Sequence, residues 1–371
     1  MRVGVLAHEM EGETTGVGRA AAELVAAAAE ARPRWRFCLF FHGRPAAQPL
    51  CDLANVEAVW AGRGGRVVLW EQTGLVRQLA RHDLDLLYGP SYSLPLASSV
   101  PGVVTLHDLS FERLPDEFAP RERWRRRLLA RFAARRASRV LVDREAMAGE
   151  VALRYGVAPA RIGRVPIPVA ATFSPGRDPE GDLRLLVPLG VGPPYWLVLG
   201  SLLDRRRPDL VLGAFARAAR SRPDLTLVIA GANRLRRPEG LERWISELGL
   251  SGRVRLLGWV GEEAVAPLLR RAELAFYLST YEGYGLPPLE ALACGTPVVV
   301  SSGLALDDLW PDYPGRAREL TLEAVTAAAG RLADAASREA VRRQAPERLA
   351  AVSRAAAGES LAGELEKAVA G

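Results

Sequence analysis

Hydrophobic runs that suit buried strands alternate with stretches of helical periodicity along most of the chain. Residues 3–7 form the first such run, and residues 17–31 form the first helical stretch. This alternation indicates βαβ units, which build parallel sheets. The predicted strands are residues 3–7, 36–41, 56–60, 84–88, 103–106, 140–142, 196–199, 225–230, 254–257, 274–278 and 298–300. The predicted helices are residues 17–31, 68–81, 121–137, 144–155, 210–219, 241–248, 264–270 and 286–293.

A segment rich in proline and glycine, residues 173–194, divides these elements into two halves. With 371 residues, the chain is long enough for two domains that each have a core. We therefore predict an α/β protein with two Rossmann-like, doubly wound domains, residues 1–175 and 176–350. Residues 351–371 are expected to form a C-terminal helix that crosses back to the first domain.

Composition and charge restrict the class of protein. No run approaches the roughly 18 apolar residues of a membrane span, and residues 1–7 predict a strand rather than a signal peptide. We therefore expect a soluble, cytoplasmic protein. Cys38, Cys51 and Cys294 lack metal-type spacing and are expected to be free thiols, and no metal site is predicted. The net charge of +6, carried almost wholly by arginine, suits nucleic acid, an anionic membrane or phosphorylated small molecules.

Residues 279–297 combine a loop containing glycine with a predicted helix start. Unpaired N–H groups and the dipole at a helix start can hold a phosphate, and Gly283 and Gly285 allow a ligand close to the backbone. The carboxylates of Glu282 and Glu290 bracket this loop and can accept hydrogen bonds from hydroxyl groups. A sugar nucleotide, which carries both phosphate and sugar, fits this pattern.

Three consecutive arginines, Arg205, Arg206 and Arg207, follow the first predicted strand of the second half. They form either an exposed charged turn or a group that neutralises a diphosphate through charge-assisted hydrogen bonds. Their place after a parallel strand, at the edge where α/β sheets hold ligands, favours the second interpretation.

Two further candidate positions follow predicted strands of the first half. Gly16 and Gly18 lie where a strand-to-helix turn could approach a phosphate, although a turn that merely needs glycine explains them equally well. His107 and Asp108 follow the strand predicted at residues 103–106. That position suits a ligand site, but a purely structural histidine fits the sequence equally well.

The helix predicted at residues 121–139 carries many arginines beside a row of apolar residues. Trp124, Leu128, Phe132 and Ala133 recur at helical spacing. One interpretation is a helix that covers the sheet and has a solvated arginine face. The other is a surface that contacts an anionic membrane, through lipid headgroups or a lipid-phosphate acceptor. Nucleic acid fits less well, because no stacking aromatics are interleaved with the basic residues in a recognisable binding module.

Several motifs resemble those of one enzyme family. They are Thr15-Gly16-Val17-Gly18-Arg19, Leu106-His107-Asp108-Leu109-Ser110-Phe111, Arg139-Val140-Leu141-Val142, Arg154-Tyr155-Gly156-Val157, Arg253-Val254-Arg255-Leu256-Leu257-Gly258-Trp259-Val260 and Tyr281-Glu282-Gly283-Tyr284-Gly285-Leu286-Pro287-Pro288-Leu289-Glu290-Ala291. The last motif matches a Glu-x7-Glu signature. From Met1 to about Asp308, the chain resembles the retaining, family-four glycosyltransferases of the GT-B architecture, and bacterial mannosyl- and rhamnosyltransferases in particular.

The resemblance implies two Rossmann-like domains that face each other across a cleft, a nucleotide-sugar donor bound mainly by the second domain, and no metal or other cofactor. It implies catalytic roles for Arg206 at the diphosphate, Glu282 at the sugar hydroxyls and His107 at the sugar. Binding roles are implied for Gly16, Gly18, Asp108, Arg205, Val260, Gly283, Tyr284, Gly285, Leu286 and Glu290. Within this set, Glu290 would contact the ribose, and the backbone near Val260 would contact the base.

The sequence also departs from the family pattern. Ser201 stands where many members have arginine, and Arg206 stands where lysine is usual. Pro166-Ile167-Pro168 and Asp143-Arg144-Glu145 replace common segments, and the strand and loop after Asp308 are expected to be shortened. These differences bear on the acceptor and the rate more than on the nucleotide site.

We therefore expect a metal-independent, retaining glycosyltransferase that moves a hexose, such as mannose from GDP-mannose, to a glycan or lipid-linked acceptor. It would be cytoplasmic, with peripheral contact to the inner face of the membrane through residues 121–139. The alternative is a catalytically weak homologue that binds a sugar nucleotide or a partner enzyme. A GT-B phosphorylase or epimerase fits the signature less well.

Overall fold

The computed structural model describes residues 1–11, 16–43, 49–60, 66–176 and 178–370. The contacts among residues divide the chain into two compact units. The first contains Met1–Pro168 and Ala351–Gly371, and the second contains Val169–Ala350. From the sequence, the boundary was expected slightly later, between residues 175 and 176.

The first unit is built on a parallel sheet whose strands run in the order β3-β2-β1-β4-β5-β6-β7. All of its pairings are parallel, and the order turns back at β1, as in a doubly wound fold. Its described strands are β1 Arg2–Leu6, β2 Arg36–Phe41, β3 Val56–Trp60, β4 Leu86–Gly89, β5 Gly102–Leu106, β6 Arg139–Val142 and β7 Ile162–Arg164. Its described helices are α1 Gly16–Ala31, α2 Val67–Gln72, α3 Gly74–Leu79, α4 Ser110–Arg113, α5 Pro120–Arg136, α6 Glu145–Tyr155 and, at the C-terminus, Arg354–Ala370.

The second unit has a parallel sheet with the order β10-β9-β8-β11-β12-β13. Its described strands are β8 Tyr195–Leu199, β9 Thr226–Ala230, β10 Val254–Gly258, β11 Leu274–Tyr277, β12 Val298–Ser301 and β13 Arg316–Ala317. Its described helices are α7 Pro179–Leu186, α8 Pro208–Ala219, α9 Gly240–Glu247, α10 Glu262–Arg271, α11 Leu286–Ala293, α12 Ala305–Leu309, α13 Leu322–Arg331 and α14 Ala335–Leu349. The prediction of two parallel α/β domains is confirmed, and the short strands β7 and β13 add to the predicted set.

The C-terminal helix Arg354–Ala370, α15 in chain order, packs along α1 in the first unit. Gly358 permits this close approach, because a Cβ atom at that position would clash with the carbonyl oxygen of Ala27. Leu361 and Leu365 are fully buried in the same core as α1. The helix therefore completes a core that the first part of the chain begins.

The proline- and glycine-rich segment between the halves is more ordered than its composition suggested. It contains α7, with Pro179 in the first turn and the Asp178 carboxylate accepting a hydrogen bond from Gly181 N at 2.8 Å. Asp182 of α7 pairs with Arg270 of α10, whose Nε lies 2.9 Å from Oδ2. Part of the predicted join is thus a helix fixed to the second unit.

Helix α5 buries only Ala133 from the row of apolar residues that its pattern marked. The buried residues are small, namely Ala130, Ala133 and Ala134. The larger apolar residues are exposed instead, by 66% for Trp124, 47% for Leu128 and 37% for Phe132. The helix also ends at Arg136, and Arg139 begins β6. Trp124, Leu128 and Phe132 therefore do not cover the sheet.

Within the described parts of the chain, every helix is too short or too polar to cross a membrane.

Candidate active site

The predicted phosphate cradle lies between β11 and α11 in the second unit. Gly285 precedes α11 with φ +82°, a left-handed conformation that favours glycine. A Cβ atom on Gly285 would also lie 2.9 Å from Cδ2 of Leu304, so close packing requires glycine there. Pro287 and Pro288 follow in the first helical turn and have no N–H. The early N–H donors at this helix start are therefore those of Tyr284, Gly285 and Leu286.

Arg205 ties the turn after β8 to the loop after β11. Its Nη1 donates to Oγ of Ser279 at 3.1 Å and to the carbonyl oxygen of Tyr281 at 2.9 Å. The same nitrogen contacts the carboxylate of Glu282. The carbonyl oxygen of Arg205 in turn accepts a hydrogen bond from Thr280 N at 2.9 Å. Because β8 and β11 are neighbouring parallel strands, their carboxyl ends bring these groups together.

Arg206 lies on the other side of the same carboxylate. Its Nε is 3.6 Å from Oε1 of Glu282, and its Nη1 donates to the carbonyl oxygen of Ser201 at 3.0 Å. Its Nη2 donates to the hydroxyl of Tyr277 at 3.3 Å, and its guanidinium carbon lies 4.9 Å from the centre of that ring. Burial raises the pKa of Tyr277, so its hydroxyl stays protonated and can donate.

We call Arg205, Arg206, Tyr277, Ser279 and Glu282 the arginine–glutamate cluster. Its charged side chains are mostly buried: Arg205 is 18% exposed, Arg206 is 19% exposed and Glu282 is 13% exposed. Charges held in such a site act on a ligand more strongly than charges in water. The cluster can hold an anionic phosphate at the guanidiniums and hydroxyl groups at the carboxylate.

The other candidate residues of the second unit lie outside the arginine–glutamate cluster. Gly283 is buried in the loop beside Glu282, whereas Glu290 is half-buried on α11 and Val260 is half-buried after β10. The structure thus brings Arg205, Arg206 and Glu282 into direct contact, and it places Glu290 and Val260 on separate elements of the same unit.

His107 follows β5 in the first unit, where both of its ring nitrogens have protein partners. Nδ1 lies 2.9 Å from Oδ2 of Asp143, and Nε2 lies 2.7 Å from the carbonyl oxygen of Pro90. Burial disfavours the charged imidazolium, but Asp143 and Pro90 favour it more strongly, and the pKa of His107 is raised. A ring nitrogen of His107 can therefore bind a sugar hydroxyl only by exchanging one of these bonds.

The other first-unit candidates also have local roles. Oδ1 of Asp108 accepts hydrogen bonds from N and Oγ of Ser110 at 2.9 and 2.8 Å, at the start of α4. A Cβ atom on Gly18 would clash with the carbonyl oxygen of Glu9, so packing alone requires glycine there. A Cβ atom on Gly16 would meet no atom within 4 Å, so packing does not explain this glycine.

Sequence reasoning missed Tyr277, Ser279 and Asp143 as parts of these arrangements. Tyr277 and Ser279 lie within or just after β11, where their polar groups interrupt a buried strand. Asp143 directly follows β6 and its side chain is 1% exposed. A buried polar residue at the carboxyl end of a parallel strand is the signal that could have identified all three.

Two sequence models of known families match consecutive parts of the chain. Residues 14–173 match the model described as Glycosyltransferase Family 4. Residues 187–310 match the model described as Glycosyl transferases group 1. The two matches fall largely in the first and second units, respectively.

Individual proteins show the same relationship. A D-inositol 3-phosphate glycosyltransferase from Mycobacterium tuberculosis is 35% identical over 170 residues, or 45% of this chain and 34% of that protein. The chain thus matches about a third of the length of this relative. The solved structure of Anabaena HepE with UDP and glucose has a TM-score of 0.75 at 18% identity, covering 99% of each chain. Sucrose-phosphate synthase from Thermosynechococcus elongatus has a TM-score of 0.75 at 21% identity, covering 99% of this chain and 98% of that chain. At these identities the structural likeness shows the fold.

Proposed function

We propose that the chain is a retaining hexosyltransferase of the group 1 and family 4 type, whose models match residues 187–310 and 14–173. It takes the hexose from a nucleotide sugar and transfers it to a hydroxyl group of a glycan or lipid-linked acceptor. Mannose from GDP-mannose is our proposed donor, and UDP-glucose is its main competitor. The observation that carries the proposal is the arginine–glutamate cluster.

The proposed chemistry follows from the charges in that cluster. When the bond between the sugar and the diphosphate breaks, negative charge develops on the departing phosphate. A fixed guanidinium stabilises this charge without reorganisation, and Arg206 is the proposed group. Glu282 holds hydroxyls of the transferred sugar and is itself kept in place by Arg205. Backbone N–H groups before Pro287 bind the phosphates, and Glu290 binds the ribose.

Turnover by the purified protein tests the proposal directly. Nucleoside diphosphate release is measured with GDP-mannose, UDP-glucose and other sugar nucleotides, with and without candidate acceptors. Release from none of the donors would refute the enzyme proposal, and a preference for UDP-glucose would correct the donor.

Neighbouring arginines offer a matched pair of variants. We expect Arg206→Met to lower kcat/KM by about 10²- to 10³-fold, the usual cost of removing one charge-stabilising donor. Arg207→Met is the control, because Arg207 pairs instead with Asp209 at 2.6 Å. Equal losses in the two variants would show that general positive charge, rather than the position of Arg206, matters.

The alternative, a weakly catalytic homologue, predicts donor binding without turnover. Glu282→Ala separates the two possibilities. Wild-type turnover that disappears in this variant supports the enzyme, whereas equal donor binding and no turnover in both proteins support the binding subunit.

We further propose that α5 holds the protein at an anionic membrane on its cytoplasmic side. The exposed stripe of Trp124, Leu128 and Phe132 recurs every fourth residue, so it lies along one face of the helix. A groove of about 420 Å³ opens beside this stripe and is lined by Leu128, Arg131, Phe132, Arg135 and Arg136. Apolar side chains flanked by arginine suit the boundary between acyl chains and anionic headgroups.

Free cysteines in the described residues agree with a reducing compartment.

Sedimentation with vesicles tests this contact. Each arginine near an anionic surface contributes about 1 kcal/mol, so we expect Arg131→Glu/Arg135→Glu to weaken binding to phosphatidylserine vesicles by at least about 30-fold. Arg220→Glu/Arg343→Glu makes the same charge change at exposed positions of the second unit and is the control. Equal binding by both variants, or no binding by the wild type, would contradict the proposal.

A further inference from the structure

A second group of polar side chains lies in the first unit, and no sequence motif marked it. His8 lies in the turn after β1, His42 directly follows β2, and Glu71 lies in α2. The carboxyl ends of β1 and β2 are adjacent, because the two strands pair in parallel. Ligands of open α/β sheets bind at this edge. We call His8, His42, Trp70 and Glu71 the histidine cluster.

The imidazole rings of His8 and His42 both pack against the indole ring of Trp70. The ring centres of His8 and Trp70 are 6.3 Å apart, and those of His42 and Trp70 are 5.2 Å apart. Trp70 is 6% exposed, and the side chain of His8 is 12% exposed. The rings are therefore held in place and mostly removed from water.

Each of these histidines has a buried ring nitrogen without a hydrogen-bond partner among the described residues. The atoms are Nδ1 of His8 and Nε2 of His42. Buried polar atoms are almost always bonded, so two unbonded nitrogens in one cluster need an explanation. A hydroxyl group can donate or accept, and it therefore matches an imidazole nitrogen in either tautomer.

The groups around these nitrogens indicate which ligand they suit. Nε2 of His8 lies 3.6 Å from the carboxylate of Glu9. Glu71 is 3% exposed, and its carboxylate accepts a hydrogen bond from Oγ of Ser93 at 3.0 Å. Carboxylates accept hydrogen bonds from hydroxyl groups and repel a phosphate at the same point. The chemistry therefore favours an uncharged ring with several hydroxyls.

Charged groups from other elements face the cluster more distantly. Burial raises the pKa of Glu71, and Arg125 of α5 is among the groups that oppose this rise. The hydrogen bond with His8 lowers the pKa of Glu9, with smaller contributions from Arg126 and His107. Glu9 is therefore held in its ionised form, and the carboxyl group of Glu71 can accept a hydrogen bond in either protonation state. Ser93, which donates to Glu71, directly follows Tyr92, whose ring centre lies 6.0 Å from that of His107, the residue that we expect to contact the transferred sugar.

We propose that the histidine cluster binds the hydroxyl groups of an uncharged sugar or polyol ring of the acceptor. This inference rests on the proposed glycosyl transfer and identifies how the first unit recognises its substrate. The proposal also means that the acceptor of this chain needs no phosphate group. The name of the D-inositol 3-phosphate glycosyltransferases, by contrast, includes a phosphorylated compound.

Kinetics with paired acceptors form the first test. The acceptors are D-glucose and myo-inositol, each compared with its monophosphate, and the variants are His8→Phe and His42→Phe. Phenylalanine keeps the aromatic packing on Trp70 and removes the nitrogens. We expect each variant to raise the KM of the unphosphorylated acceptor about tenfold while changing the KM of the donor less than twofold.

His82→Phe is the matched control, since His82 packs on Phe40 with ring centres 5.2 Å apart and is not among the histidines with an unbonded buried nitrogen. Unchanged acceptor KM values in His8→Phe and His42→Phe would overturn the proposal. So would a preference for the monophosphates.

Binding without turnover provides the second test and distinguishes a failure of this inference from a failure of the proposed transfer. The chain has four histidines, so the imidazole NMR signals of His8 and His42 can be assigned by substitution. We expect both signals to shift on titration with myo-inositol or D-glucose and to stay in place with inorganic phosphate. Shifts with phosphate alone, or with none of these probes, would overturn the proposal even if the protein releases nucleotide.

Discussion

Replacing Asp143 by asparagine tests whether a buried charge pair holds His107. The substitution keeps the size of the side chain and an oxygen that can accept from Nδ1, and it removes the negative charge. The Asp143 side chain is 1% exposed and lies 2.9 Å from Nδ1. Hydrogen bonds to charged groups contribute about 1.5–3 kcal/mol, and we expect a loss near 2 kcal/mol. For a domain of this size, that loss lowers Tm by about 4–8 °C.

The loss should depend on pH. The pKa of His107 is raised in the folded protein, mainly because Asp143 and Pro90 outweigh the opposing effect of burial. Its contribution to stability is therefore complete below the unfolded histidine pKa of about 6.5 and is lost as pH rises through the folded pKa. In Asp143→Asn, burial disfavours the imidazolium without that compensation. The difference in Tm between wild type and variant should be largest in mild acid and should narrow in alkaline solution.

Thermal unfolding from pH 5.5 to 9 measures this difference, with Asp116→Asn as the control at an exposed position. A constant difference across this range would refute the charge-pair reasoning. A variant as stable as wild type at pH 5.5 would refute it as well.

Three further results are expected. Tyr277→Phe removes the hydroxyl that contacts Arg206 and should lower kcat/KM by about 3- to 10-fold with little change in Tm; an unchanged rate would exclude a positioning role. Gly18→Ala should destabilise the protein by about 1–3 kcal/mol, because the added Cβ atom clashes with Glu9. Gly16→Ala has room for its Cβ atom, so it should leave Tm unchanged or raise it, and it should weaken donor binding. Equal Tm values for these two variants would contradict the packing argument. Turnover in excess EDTA should stay within twofold of its normal value, and a loss that Mg²⁺ restores would disprove metal independence.

The fold could be predicted largely because most strands are compact apolar runs between turn residues. The bounds of β2 and β3 equal those predicted from the sequence. Strands β7 and β13 were missed because they contain only 3 and 2 residues and depend on neighbouring strands for their pairing. The sequence does not predict helix α7, because its proline and glycine are also loop signals, although proline in the first turn after an Asp cap is typical of a helix start.

The parts of the candidate site that are local in sequence were easier to predict than its contacts. The composition of the loop before α11 predicts a helix start with close backbone approach. The contact between Arg205 and Glu282 joins residues separated by 77 positions and depends on β8 lying beside β11. Periodicity alone does not identify the buried side of α5, because both its alanines and its larger apolar residues could pack on the sheet.

The packing of the C-terminal helix on α1 has a consequence for the order of folding during synthesis. Residues of the second unit, Val169–Ala350, are all translated before the helix that completes the first core. The second unit can therefore close on the ribosome while α1 still exposes the surface that Leu361 and Leu365 later cover. A nascent chain therefore exposes this surface of α1 until the helix Arg354–Ala370 has been translated.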